Sequence, residues 1–91
     1  MEGSIAMAFF AAPTHEATFA NGSAVTKNFA KYPLPRLRDI QPIEVHIMDN
    51  GEAAGGAGEP GLPGFTPALT NAIYDLTGTR VRKLPFDLKK V

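Results

Sequence analysis

Hydrophobic and polar residues alternate with several distinct periods along this chain of 91 residues. Residues 2–12 place apolar side chains at helical spacing and on nearly every side, which predicts a buried helix. Residues 14–20 alternate between polar and apolar side chains, and residues 24–29, with Val25 and Phe29 on one face, are predicted to be the returning strand. Between them, Asn21-Gly22 is typical of a tight type I′ turn. The first third of the chain is therefore predicted to be a helix followed by a β-hairpin.

The second half of the chain continues with one more strand and one more helix. Residues 43–48 alternate between apolar and polar side chains, which predicts a half-buried third antiparallel strand. Thr66 and Pro67 suit the N-cap and first position of a helix over residues 67–77, and Gly78 suits the left-handed residue after it. The predicted fold is one small α+β unit: a hairpin plus third strand with two helices.

Composition and charge exclude several classes of function. Nine basic and nine acidic residues cancel, which argues against nucleic acid or an anionic membrane as a partner. The chain has no cysteine, so it can form neither a disulfide framework nor a thiolate metal site. The apolar run of residues 5–12 is too short to cross a membrane and does not resemble a signal peptide. A cytoplasmic and a periplasmic location both stay open.

The segment of residues 51–64, rich in glycine and proline, holds the main candidate for chemistry. Glycine lets a backbone approach a ligand closely, and proline stiffens a loop. Glu59 lies between a glycine and a proline within this segment. An exposed, solubilising side chain is the ordinary role for such a residue. The functional alternative is a general base, made effective by the apolar neighbours Leu62 and Phe65 and by the exclusion of water.

Other kinds of site fit the sequence poorly. The two histidines, His15 and His46, lie on separate predicted strands, whereas a self-contained zinc site needs three or four ligands. No metal ligand is predicted. Ser4 and Ser23 lack the sequence setting of a hydrolytic nucleophile. The glycines of residues 55–58 lack the Lys and Ser/Thr pair of a phosphate-binding loop.

Six short motifs, which are distributed over almost the whole chain, carry a resemblance to a known family. They are Met-Glu-Gly-Ser (1–4), Tyr32-Pro-Leu, Pro42-Ile-Glu-Val-His-Ile47, Gly58-Glu-Pro-Gly-Leu-Pro63, Pro67-Ala-Leu-Thr-Asn-Ala-Ile73 and Gly78-Thr-Arg-Val-Arg-Lys-Leu-Pro85. The chain resembles the C-terminal end of the large, molybdenum-cofactor-binding subunit of the xanthine oxidase/aldehyde oxidase family. Within that family it is most similar to the bacterial isoquinoline 1-oxidoreductase beta subunits.

The resemblance implies a molybdopterin-dependent oxidoreductase that hydroxylates a carbon of an N-heterocycle or an aldehyde with oxygen derived from water. In that family the Glu of the Gly-Glu-Pro motif is the active-site base, which is Glu59 in this sequence. Gly56, Gly58, Pro60 and Gly61 are then expected to line the cofactor site. The implied cofactor of the full-length enzyme is molybdenum–molybdopterin, in its cytosine dinucleotide form.

The resemblance also implies partners. These are the rest of the large subunit, an iron–sulfur small subunit, and a small heterocyclic or aldehyde substrate. Because the family's large subunit is several hundred residues long, we expect this chain to be a fragment that is inactive alone. The alternative is a free-standing, non-catalytic interaction module that retains the family sequence. Such a module would form a homodimer or bind a partner through an exposed apolar face of helix 2–12.

Overall fold

Two helices that pack against each other form the centre of the computed structural model, which describes residues 1–91. Helix α1 spans Glu2–Thr14 and helix α2 spans Gly61–Thr77. Strand β1 (Phe19–Ala20) and strand β2 (Ser23–Ala24) lie between them in the sequence and form a two-stranded antiparallel sheet. The predicted α+β class is confirmed.

Other parts of the chain cover much of the apolar surface of helix α1. The three buried residues of the chain are Ala8 and Ala12 on this helix and Phe86 in the C-terminal segment. The N–H of Phe86 donates a hydrogen bond to the carbonyl of Ala12 at 3.1 Å, which fixes the C-terminal segment against α1. The helix includes Pro13 and ends at Thr14, two residues beyond the predicted end.

The turn between the two strands forms as the sequence predicts. Asn21 has φ 50° and Gly22 has φ 75°. Positive φ at both central residues is what a type I′ turn requires. Phe19 pairs with Ala24 across the strands, so the predicted hairpin register around this turn is confirmed.

The strands of the hairpin are much shorter than predicted. The patterns at residues 14–20 and 24–29 predicted two full strands, but each strand has only two residues. One further hydrogen bond, from the N–H of Val25 to the carbonyl of Thr18 at 2.8 Å, joins the segments beyond them. Phe19 and Phe29 are 74% and 71% exposed, so no other element covers the apolar side of the hairpin. A hairpin without a covered face is only marginally stable, and the pairing is limited to the residues next to the turn.

The predicted third strand at residues 43–48 is absent. Residues 41–50 belong to no helix or strand, although Ile43 and Val45 are half-buried as the alternation predicted. A strand needs a hydrogen-bonded neighbour, and the only sheet of this chain contains β1 and β2. The prediction was wrong because periodicity describes which side chains are covered and not whether a partner strand is present.

Helix α2 begins earlier than the predicted 67–77. Pro60 is its N-cap and Gly61 its first residue, so Thr66 lies inside the helix and does not cap it. Pro63 is compatible with this start, because N–H groups in the first turn of a helix have no intrahelical acceptor. Packing of the first turn on α1 stabilises the additional residues.

Gly78 ends helix α2 in the left-handed conformation that the sequence predicts. Its φ is 74° and its N–H donates to the carbonyl of Tyr74 at 2.8 Å. A Gly78→Ala substitution should lower the free energy of unfolding by about 1 kcal/mol, because a β-carbon is strained at this φ. Urea unfolding followed by circular dichroism measures the change.

The matched control is Gly64→Ala, inside the same helix. A β-carbon at Gly64 meets no atom within 4 Å, and this residue lacks a positive φ. The control should be stabilised by up to about 1 kcal/mol, because Ala favours a helix interior over Gly. Equal unfolding midpoints for Gly78→Ala and Gly64→Ala would contradict the role assigned to the left-handed cap.

Much apolar surface is left uncovered outside α1. Leu37, Ile47 and Met48 are between 85% and 89% exposed, whereas Met7, 58% exposed, is the most accessible large hydrophobic residue within α1. The radius of gyration is 16.1 Å, compared with about 12 Å expected for a compact domain of this length. The surface suited to contact with more protein therefore lies mainly outside the predicted helix 2–12.

Neither helix has the length and apolar character needed to span a membrane.

Candidate active-site loop

Glu59, the sequence-predicted base, lies directly before the N-cap of helix α2. Its backbone carbonyl accepts a hydrogen bond from the N–H of Leu62 at 2.9 Å, which ties it to the first turn of the helix. Its carboxylate is exposed and takes part in no hydrogen bond or ion pair of the chain. The side chain is therefore free to act on a group outside this chain, next to a helix end that favours negative charge.

The loop upstream of the carboxylate is open. The side-chain oxygen of Asn50 accepts a hydrogen bond from the N–H of Glu52 at 3.2 Å, around Gly51, whose φ is 76°. Gly56 and Gly58 are exposed, and a β-carbon at either position would meet no atom within 4 Å. This chain gives the two glycines no packing role, so their predicted role in lining a cofactor stays a prediction.

Pro60 and Gly61, the other two predicted lining residues, form the junction between the loop and α2. Pro60 is helical, with φ −58° and ψ −22°. Gly61 lies directly against α1, because a β-carbon there would be 2.7 Å from Cγ1 of Ile5 and 2.8 Å from Oγ of Ser4. Gly61 therefore has a packing role in addition to its predicted lining role. Ser4 and Ile5 were not among the predicted site residues, although Ser4 closes the motif at residues 1–4.

Three of the sequence motifs meet around the N-terminal end of α1. The motif at residues 58–63 reaches α1 through Gly61. The motif at residues 42–47 borders the same end of the helix from another side: Ile43 lines a shallow cavity together with Gly3, and Val45 lines a second one. Segments that are far apart in the sequence are thus neighbours around this helix end.

The two apolar residues expected to shield Glu59 from water do not cover its side chain. Phe65 packs edge-to-face against Phe9, with ring centroids 5.9 Å apart, and so contributes to the contact between the two helices. Leu62 is exposed. Since Glu59 is exposed as well, shielding of its carboxylate from water requires surface from outside this chain.

The two histidines do not belong to a cluster of metal ligands. His15 stacks on Tyr32 with ring centroids 4.6 Å apart, whereas His46 is exposed and lies 3.6 Å from the carboxylate of Glu44. No three residues of the types His, Cys, Asp and Glu lie close enough together to hold a metal ion. The chemistry available within this chain is that of a free carboxylate at the start of a helix.

Among known proteins, the chain matches oxidoreductases and their subunits. It is 33% identical over 85 residues to isoquinoline 1-oxidoreductase subunit beta from Brevundimonas diminuta, which covers 93% of this chain and 11% of the relative. It is 38% identical over 76 residues to the aldehyde oxidoreductase molybdenum-binding subunit PaoC from Escherichia coli (strain K12), which covers 77% of this chain and 10% of the relative. Neither a family model nor a solved structure matches.

A third relative carries a name with a different cofactor. It is a membrane-bound aldehyde dehydrogenase [pyrroloquinoline-quinone] from Gluconacetobacter polyoxogenes, 34% identical over 65 residues, which covers 71% of this chain and 8% of the relative. The chain spans about a tenth of the length of these curated relatives. It belongs to the family of the molybdenum-binding subunits of aldehyde and isoquinoline oxidoreductases, as its motifs predict.

Proposed function

We propose that this chain is the catalytic-base segment of a molybdopterin-dependent oxidoreductase that hydroxylates a carbon of an N-heterocycle or an aldehyde. The observation that carries the proposal is the position of Glu59. Its carboxylate is exposed and unpaired, and its backbone is tied to the first turn of α2. The names of the relatives support an oxidoreductase with molybdenum.

The residues of this chain fit one wall of such a site. The chain offers a free carboxylate and an open glycine loop and no cluster of metal ligands. In the full-length enzyme the molybdenum–molybdopterin group, in its cytosine dinucleotide form, would supply the redox chemistry. At Gly56 and Gly58, which have no side chain and open space around them, a cofactor could approach the backbone closely.

Glu59 has one step to perform in this function. It accepts a proton from the water-derived nucleophile as that nucleophile attacks the substrate carbon. The C–H bond of that carbon breaks, and the hydride equivalent would pass to the cofactor. A positioned general base typically contributes a factor of about 100 to 10,000 to the rate. Because the carboxylate is exposed in this chain, we propose that the isolated chain is inactive and that other parts of the enzyme enclose the site.

The exposed apolar side chains are an argument that a large protein surface covers this chain. Leu37, Ile47 and Met48 expose apolar surface on the segment that borders the N-terminal end of α1. We propose that the rest of the large subunit covers this surface and that an iron–sulfur small subunit accepts the electrons. A stable monomer would rarely leave so many large apolar side chains in water.

A hybrid subunit tests this function. In it, the matched part of this chain replaces the corresponding segment of the molybdenum-binding subunit from E. coli, assembled with that relative's own partner subunits. We expect the hybrid to oxidise an aldehyde with an artificial electron acceptor, and a version that lacks the segment to be inactive. Turnover is measured per bound molybdenum. A hybrid that binds molybdenum but has no turnover would contradict the proposal.

The exposed apolar surface also fits the second candidate, a non-catalytic interaction module. That candidate requires the 91-residue chain to bind a protein by itself, for example as a homodimer. Light scattering of the purified chain gives its mass in solution. A stable dimer combined with an inactive, molybdenum-loaded hybrid would favour the module, whereas a monomer combined with an active hybrid would reject it.

A further inference from the structure

The first turn of helix α2 lies on helix α1 with no space for a side chain. A β-carbon at Gly61 would be 2.7 Å from Cγ1 of Ile5 and 2.8 Å from Oγ of Ser4, closer than real β-carbons approach other atoms. At Gly64, in the same helix, a β-carbon would meet no atom within 4 Å. In the first turn of α2, the need for glycine is therefore specific to Gly61, which lies against α1.

Both atoms that face Gly61 are held in place. Oγ of Ser4 donates a hydrogen bond to the carbonyl of Met1 at 2.7 Å. Ile5 is β-branched and half-buried, and such a side chain has one strongly preferred χ1 rotamer in a helix. Since neither side chain can move away easily, the contact fixes where the first turn of α2 lies.

Glu59 is joined to this contact by a short and stiff stretch of chain. Pro60 stands between them, and its ring restricts φ. The hydrogen bond from Leu62 to the carbonyl of Glu59 holds the same turn together. On the other side, residues 53–58 form no hydrogen bond. Within this chain the position of Glu59 is thus determined by α2 and, through Gly61, by α1.

We propose that the contact of Gly61 with Ser4 and Ile5 positions Glu59, so that helix α1 is the support of the catalytic base. The inference rests on the proposed function of Glu59 and adds three positioning residues to it. Accurate placement matters because a displacement of about 1 Å in an active site can cost about 100-fold in rate.

Kinetics of the hybrid subunit test the proposal. Gly61→Ala should push the start of α2 away from α1 and lower kcat per molybdenum by about 10- to 100-fold, with KM nearly unchanged. Gly64→Ala is the matched control, because it adds the same methyl group on an open side of the same helix, and it should keep kcat. Adding Ser4→Ala and Ile5→Ala together removes both clashing atoms and should restore kcat of Gly61→Ala to within about threefold of the unaltered hybrid.

Two results overturn the positioning role. If Gly61 serves only stability, Gly61→Ala lowers the yield of molybdenum-loaded enzyme but leaves kcat per molybdenum unchanged. If Gly61 only lines the cofactor site, kcat falls but Ser4→Ala combined with Ile5→Ala does not restore it. If the Gly61→Ala hybrid does not fold, the single substitution Ile5→Ala tests the proposal instead. It leaves a gap next to Gly61 and should lower kcat per molybdenum several-fold. An unchanged kcat overturns the proposal.

Glu59→Gln in the same hybrid separates this inference from the proposed function. If Glu59→Gln abolishes turnover while the Gly61 and Ile5 variants keep their kcat, only the positioning role is rejected. If Glu59→Gln leaves turnover normal, the proposed function itself is rejected, and any loss in Gly61→Ala then has another cause.

Discussion

A Glu59→Gln substitution in the hybrid subunit is expected to lower kcat per molybdenum by at least about 100-fold, the loss typical of a missing general base. Gln keeps the size of the side chain and can still accept a hydrogen bond, but it cannot take up a proton under these conditions. Because the carboxylate of Glu59 has no partner within this chain, its replacement breaks no contact that holds the fold. Molybdenum content and yield should therefore stay the same.

Glu52→Gln is the control for this experiment. Glu52 belongs to the same loop and is also exposed, and its backbone N–H, not its side chain, donates the hydrogen bond to Asn50. Its substitution removes the same charge seven residues upstream of Glu59 and should change kcat by less than about twofold, since surface changes away from a site have small effects. Equal losses in the two variants would indicate that the charge of the loop matters and that Glu59 is not the base.

Several parts of the fold could be predicted because their causes are local. The turn at Asn21-Gly22 depends on residues that tolerate positive φ, and Gly78 adopts the left-handed conformation for the same reason. The apolar pattern of residues 2–12 likewise predicted a helix, and the structure has one over Glu2–Thr14. In each case the residues themselves carry the information.

Other parts could not be predicted because they depend on what surrounds a segment. Residues 43–48 have the alternation of a strand but no neighbouring strand in this chain. The hairpin shortens because no element covers Phe19. Helix α2 starts at Gly61 rather than at residue 67, because its first turn packs on α1, and local capping rules do not include that contact.

The candidate site shows the same division. General chemistry left Glu59 with two possible roles, an exposed solubilising side chain or a general base, and the structure shows its side chain exposed. Its assignment as a base came from the resemblance of the Gly-Glu-Pro motif to a family. The contact of Gly61 with Ser4 and Ile5 became visible only in the structure, because it joins segments more than fifty residues apart.

Phe86→Ala is the substitution with the largest expected effect on stability. Phe86 is 7% exposed and is the one large side chain among the three buried residues. Its backbone N–H also donates to the carbonyl of Ala12, which holds the C-terminal segment against α1 at this residue. Replacing a buried Phe with Ala costs about 3–5 kcal/mol, which is comparable with the whole stability of a small domain. The 91-residue chain should lose most of its helical circular dichroism signal at 25 °C.

Leu88→Ala provides the matched comparison, because Leu88 lies two residues further along the same segment and is 64% exposed. It should change the free energy of unfolding by less than about 0.5 kcal/mol. In the hybrid subunit the Phe86→Ala defect should be smaller, because the surrounding protein adds contacts to α1 that the isolated chain lacks. An isolated Phe86→Ala chain with an unchanged unfolding midpoint would show that α1 and α2 hold each other without the C-terminal segment, and that the buried ring does not anchor this fold.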